Sequence, residues 1–323
     1  MFAPDLVVRS RRVVSEHGVR AAAIHIRHEK IVGVLDYDNV PADCPVDDVG
    51  DAAVLPGVID IQTHAKADEV MTRAAAAGGV TTIVDAGACV ARIVHAMLPA
   101  PETVWSWWPR SYAAFLDAHP KSIENDAVAA VLEACRQSRT PTHIVCLSSS
   151  DVLAPLFHAR AAQVPVSAST CPHYLYLAAE ELTGSSRRYR CAPPIRGREN
   201  RELLWAAVAG GLVEAITSGG PTPADLSLPV TWTVMHGRGG TLERLARAMC
   251  RVPAQLAGLT RKGRIDVGYD ADLAVFHPDE EFVADAPRHR TDPEALSYAG
   301  RRLRGVVDRT YVRGVPICLR KRR

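Results

Sequence analysis

The chain has 323 residues, 47% hydrophobic and 23% charged, a balance ordinary for a globular protein and long enough for one large domain or one and a half. A formal net charge of +2 gives no reason to invoke nucleic acid or a membrane surface as partner. No apolar stretch approaches the ~18 residues of a membrane span, and the N-terminus lacks a secretory apolar region. The eight cysteines (Cys44, Cys89, Cys135, Cys146, Cys171, Cys191, Cys250 and Cys318) contain no CxxC pair, which points to reduced thiols and a cytoplasmic protein.

In chain order, Leu6–Arg9, Ala23–Ile26 and Lys30–Val34 are short β-branched runs separated by polar turns, and they read as strands. Residues 53–263 alternate strand and helix. Strands are expected at 53–60, 80–86, 91–96, 142–148, 164–170 and 212–218, and helices at 66–78, 121–138, 151–162, 198–210 and 240–258. This alternation predicts βαβ units and a parallel sheet, with about six strands where a closed (β/α)8 barrel needs eight. Segment 97–112, with Trp105, Trp107 and Trp108, fits no element; it reads either as a binding surface or as cover for an apolar edge. Asp272–Phe276, Gly305–Val307 and Thr310–Gly314 are again strand-like, so the two chain ends are expected to pair as one small β layer. The basic end Arg320–Arg323 reads as a solvated tail.

The run Ala53–His64 ends in Asp60-x-Gln62-x-His64. Alternate strand residues share a face, so an aspartate, an amide and an imidazole project together at the C-terminal end, where α/β barrels carry their chemistry. The arrangement suits part of a metal site, or a core strand whose last polar residues meet solvent. Gly78-Gly79, after a helix and before a strand, reads as a helix C-cap rather than a phosphate loop. Arg238-Gly239-Gly240 reads as a plain loop with Thr241 as N-cap, or as an anion site at the helix N-terminus.

Several motifs occur in one order along the chain: Val54–Asp60, Arg73–Asp85, Thr170-Cys171-Pro172-His173-Tyr174-Leu175, Cys191-Ala192-Pro193-Pro194-Ile195-Arg196, and Arg261–Ile265 followed by Gly268–Leu273. Together they resemble the allantoinases, among the cyclic amidohydrolases that include dihydroorotases and hydantoinases. The resemblance implies an α/β protein: a (β/α)8-type TIM barrel over 53–263, here contracted, with a small β-sandwich formed by 1–52 and 264–323. It implies ring opening of allantoin to allantoate, with two divalent metals bridged by a carboxylated lysine activating water and an aspartate as base.

Carried over residue by residue, the resemblance places metal ligands at His64, His95, Cys146 (for a histidine) and, weakly, Gln62 (for a histidine). It makes His173 a residue on the substrate side or one supporting the ligands from behind; Arg196, after Pro193-Pro194, reads as a substrate-binding residue able to hold an anionic group. The bridging lysine has no counterpart, and Gly219 stands where the base aspartate belongs. The chain also skips what amount to two βα units between Asp85 and Arg92. Simple structural roles are open for the same residues: a small buried thiol at Cys146, a hydrogen-bonded turn histidine at His173, a rim ion pair at Arg196. Zinc or another divalent metal is expected at one site at most, or at none.

Three readings follow. The chain is a cyclic-amide hydrolase acting on a small cyclic ureide, or a pseudoenzyme that assembles as a homo-oligomer or with an active paralogue. The third is a family member that has lost segments and with them its function.

Overall fold

The computed structural model describes residues 3–63, 69–85, 94–96, 111–182, 187–189, 191–219, 222–285 and 297–319. His64 and the tryptophans at 105, 107 and 108 lie outside the described residues. The chain divides into two compact units, one comprising 1–85, 224–284 and 300–323 and the other 86–223 and 285–299.

The first unit opens with β1 (Leu6–Ser15), β2 (Gly18–Arg27), β3 (Lys30–Leu35) and the short β4 (Val46–Asp48). The segment expected as a single strand over 53–60 is two, β5 (Ala53–Pro56) and β6 (Val58–Thr63). Pro56 has no N–H to continue a ladder, and the Gly57 N–H turns to the Asp272 carbonyl at 2.8 Å. β6 then pairs in parallel with β7 (Val80–Asp85) across the helix Glu69–Ala77. Gly79 ends that connection with φ +82 and its N–H on the Ala76 carbonyl, the cap expected from sequence.

The second unit holds β8 (Val94–Ala96), β9 (Thr142–Ile144), β10 (Val166–Thr170) and β11 (Ala215–Ile216), all parallel, in the order β11-β10-β9-β8. Its longest helix, Lys121–Ser138, buries Glu124, Val128, Leu132 and Cys135, the spacing of one helical face, and ends where Arg139 adopts a left-handed φ of 56°. The expected helix at 198–210 is Arg198–Ala209. Tyr112–Ala118 and Pro172–Tyr176 are helices that sequence reading left out.

The chain returns to the first unit with Ser227–His236, also missed because eight of its ten residues are buried and no amphipathic period marks it. The expected helix at 240–258 is Leu242–Ala246, a π-helical turn Arg247–Arg251 and Val252–Leu256. β12 (Leu273–Val283), β13 (Arg302–Val312) and β14 (Val315–Leu319) then join the N-terminal strands in one sheet, β14-β13-β12-β5-β1-β2-β3, with β4 on β1. The junction is the antiparallel pair β5–β12, Leu273 opposite Pro56 and Phe276 opposite Ala53. Both chain ends therefore share one β layer. Its core includes Val8, Ile24, Ile31, Val54, Leu273 and Tyr311, all buried.

Candidate functional site

In a parallel sheet, loops leaving the C-terminal strand ends carry the chemistry. In the second unit these are the segments after β9, β10 and β11, and hydrogen bonds tie them to one another. Leu147 N–H donates to the Ser169 carbonyl at 2.9 Å, and the Thr170 hydroxyl to the Leu147 carbonyl at 2.8 Å. The Thr217 N–H donates to the Thr170 carbonyl at 3.0 Å.

After β9, Cys146 adopts φ 59°, a conformation uncommon for a side chain with Cβ and one that recurs at functional positions. It is half-buried, with its Sγ 3.8 Å from the Sγ of Cys171. The loop beyond it is fixed by Glu124, whose Oε1 accepts the N–H groups of Ser148 (2.7 Å) and Ser149 (2.8 Å) and whose Oε2 accepts the Ser148 hydroxyl (2.6 Å). Sequence reading missed this residue. Its signal was a carboxylate on the otherwise apolar face of Lys121–Ser138.

Arg196 is buried beside it. Its Nη2 lies 3.6 Å from Glu124 Oε2, and its Nη1 donates to the His119 carbonyl at 2.7 Å. Asn200 completes the cage, donating to the Ser148 carbonyl and accepting from the Ser150 N–H, both at 2.8 Å.

After β10, Pro172 at the first helical turn needs no N–H partner and starts the helix that carries His173. His173 is buried, and desolvation lowers its pKa to about 3, so the ring is neutral. Its Nδ1 lies 3.3 Å from the Thr222 hydroxyl, which in turn lies 2.7 Å from the Tyr298 hydroxyl. Its Nε2 has no hydrogen-bond partner among the described residues. Thr222 follows Gly219, the residue in the base position, and the two form an isolated antiparallel bridge. Without a side chain, Gly219 places no carboxylate at this strand end. Burial also pushes the Cys191 thiol up to about 12, so Cys191 stays protonated at neutral pH.

The other expected ligands are placed as follows. Asp60 and Gln62 share one face of β6 and are buried; Asp60 Oδ1 accepts the Gln62 N–H at 3.0 Å. The backbone of His95 sits in β8 opposite His143, whose buried ring meets the Ser167 and Ser169 hydroxyls at 2.8 and 3.0 Å. Among the described residues, no three His, Cys, Asp or Glu side chains converge where they could hold a metal ion. Among the described residues, the neighbour placed beside the Cys146 thiol is the Cys171 thiol. The described residues alone assemble no family-type metal centre; His64 and the side chain of His95, two of the expected ligands, lie outside them.

Residues 221–318 match the model of the amidohydrolase family. The allantoinase of Streptomyces avermitilis is 32% identical, the match covering 96% of this chain and 94% of that protein. That alignment runs over 426 positions, more than the 323 residues of this chain, so the relative carries segments that this chain lacks. The Arabidopsis thaliana allantoinase is 35% identical over 64% of this chain and 47% of its own length. Among solved structures, dihydropyrimidinase from Brevibacillus agri has a TM-score of 0.86 at 18% identity, covering 98% of this chain and 95% of that one. L-hydantoinase from Arthrobacter aurescens has a TM-score of 0.83 at 22% identity, covering 100% and 97%. These likenesses establish the α/β fold of the hydantoinase-type amidohydrolases, a metal-dependent TIM-barrel family. The chain belongs to the allantoinases, within the cyclic amidohydrolases.

Proposed function

We propose that this chain binds a small cyclic ureide of the allantoin type at its strand ends and does not open the ring by the family's two-metal route. The observation that carries the reading is the end of β11, where Ser218 and Gly219 supply no carboxylate to accept a proton from water. His173 cannot replace it, since an imidazole with a pKa near 3 is a poor proton acceptor at neutral pH. The same neutral ring suits recognition of an uncharged ligand. The chain His173–Thr222–Tyr298 fixes one ring nitrogen and leaves Nε2 for a ureide N–H or carbonyl.

In this reading the contracted barrel over 53–263, and the end domain of 1–52 with 264–323, are a retained scaffold. A second reading is favoured by similarity that spans nearly the full length of the Streptomyces allantoinase. There, His64, His95 and Cys146, with Gln62 as a weak fourth, hold one zinc or other divalent ion, which supplies Lewis-acid activation of water.

The test is metal content after dialysis against zinc or cobalt, followed by calorimetry and a turnover assay with allantoin. Saturable allantoin binding, with metal content near zero and no allantoate formed, supports the proposal. Metal-dependent turnover that His64→Ala or His95→Ala abolishes overturns it in favour of the second reading.

A further inference from the structure

Arg244, Arg247 and Arg251 recur at spacings of three and four along the segment Leu242–Leu256. Leu242, Leu245, Met249 and Cys250 of the same segment are buried, so the arginines mark the opposite, outward side. Residues Arg247–Arg251 form a π-helical turn, a rare geometry that recurs at functional sites. A fourth arginine, Arg264, follows Gly263. There the backbone passes so close to the helix that a Cβ on Gly263 would lie 2.6 Å from the Cys250 carbonyl.

All four arginines line one cavity of about 210 Å³, with Pro56 and Ile265 among its apolar walls. Glu16 organises two of them: its Oε2 takes Arg264 Nη1 at 2.6 Å and its Oε1 pairs with Arg251. Among the described residues, neither Arg244 nor Arg247 meets a carboxylate. The lining acids are Glu16 and Glu243 against four guanidiniums, an excess of two positive charges. Guanidinium forks match the paired oxygens of carboxylate and phosphate.

We infer that this pocket binds a small dianion, a phosphate ester or a dicarboxylate, gripped by Arg244 and Arg247 while Glu16 holds Arg251 and Arg264 in place. The inference is independent of what happens at the strand ends. The π turn presents Arg247 and Arg251 to the same space, and the apolar walls accept the carbon part of an organic anion.

The experiment titrates the full chain by calorimetry with inorganic phosphate, phenyl phosphate and succinate, against sodium chloride at matched ionic strength. The comparison is the double variant Arg244→Ala/Arg247→Ala, whose sites are exposed and whose folding a thermal melt verifies. The expected result is saturable binding of at least one anion that weakens with salt and is at least about tenfold weaker in the double variant. Binding of the phosphates alone identifies a phosphoryl ligand, and of succinate alone a dicarboxylate. No saturable binding by any of the three, or equal affinity in the double variant, overturns the inference.

Discussion

Glu124 and Arg196 form a buried ion pair, 3.6 Å from Oε2 to Nη2, with side chains only 2% and 6% exposed. The carboxylate also receives two backbone N–H groups and a hydroxyl from the loop after β9, so one charge anchors both the loop and the arginine. Removing either partner strands the other charge without water, at a cost of about 3–5 kcal/mol. Arg196→Met is therefore expected to lower the urea midpoint steeply, and Glu124→Gln/Arg196→Met to cost less than the sum of the single changes. Strict additivity would show that the pair is not coupled. A loss of allantoin affinity at unchanged stability would instead make Arg196 a ligand-contacting residue.

His173 predicts a pH dependence with a definite sign. Its pKa is about 3 in the folded chain, against an ordinary 6.5 once unfolded. Between those values the unfolded chain binds a proton that the folded chain refuses, so stability rises with pH across the window. The contribution is complete above pH ~6.5 and is lost at about 1.4 kcal/mol per unit as pH falls toward 3. Urea titrations from pH 7 to 4.5 on the natural chain and on His173→Gln should give the steeper slope for the natural chain. Parallel slopes would mean that His173 is protonated in place.

Asp272 is buried, and its carboxylate holds two groups together. Its Oδ2 accepts a short hydrogen bond from Lys262, which also lies 3.3 Å from Asp270, and its Oδ1 accepts the Arg313 N–H at 2.8 Å. Asp272→Ala leaves a mostly buried ammonium short of one partner and an amide with none, and is expected to cost about 2–4 kcal/mol. The exposed pair Arg12–Asp279, at 2.9 Å, makes the control, and Asp279→Ala should cost less than about 1 kcal/mol. Equal midpoints for the two variants in guanidinium would refute the distinction.

Gly57 lies against Thr81: a Cβ there would sit 2.1 Å from Oγ1 and 2.7 Å from the Thr81 Cβ, which no rotamer change can move. Gly57→Ala is expected to cost about 1–3 kcal/mol or more by forcing β5, β6 and β7 apart. Gly210→Ala, at an exposed helix end where the nearest atom is 3.3 Å away, should stay within about 1 kcal/mol of the natural chain. Thermal melts of the two variants decide it. A tolerated Gly57→Ala would mean that the strand break at Pro56-Gly57 is pliable.

Legibility from sequence followed the range of the forces involved. Lys121–Ser138 was readable to the residue because Val128, Leu132 and Cys135 keep helical spacing. Strands at 142–148 and 212–218 were read too long because a strand's extent depends on its neighbours. β9 pairs only where β8 and β10 run beside it, and β11 is two residues long. The division of 53–60 between two sheets turned on the Gly57 bond to Asp272, more than two hundred residues away.

At the strand ends, residue types were plain in the sequence: Gln62, Cys146 and Gly219 stand in positions where the family resemblance led us to expect histidine or aspartate, and a missing carboxylate needs no coordinates to be noticed. Charge states and partners were not readable. His173 is neutral because the folded chain shuts out water, and its Nδ1 meets Thr222 and, through it, Tyr298; Arg196 faces Glu124 because a helix and a loop distant in sequence pack together. The sequence by itself determined the family and the gaps in its chemistry, since both are matters of which residues are present. Only the tertiary structure decided what the remaining polar groups do, because desolvation and pairing are properties of the surroundings each side chain is folded into.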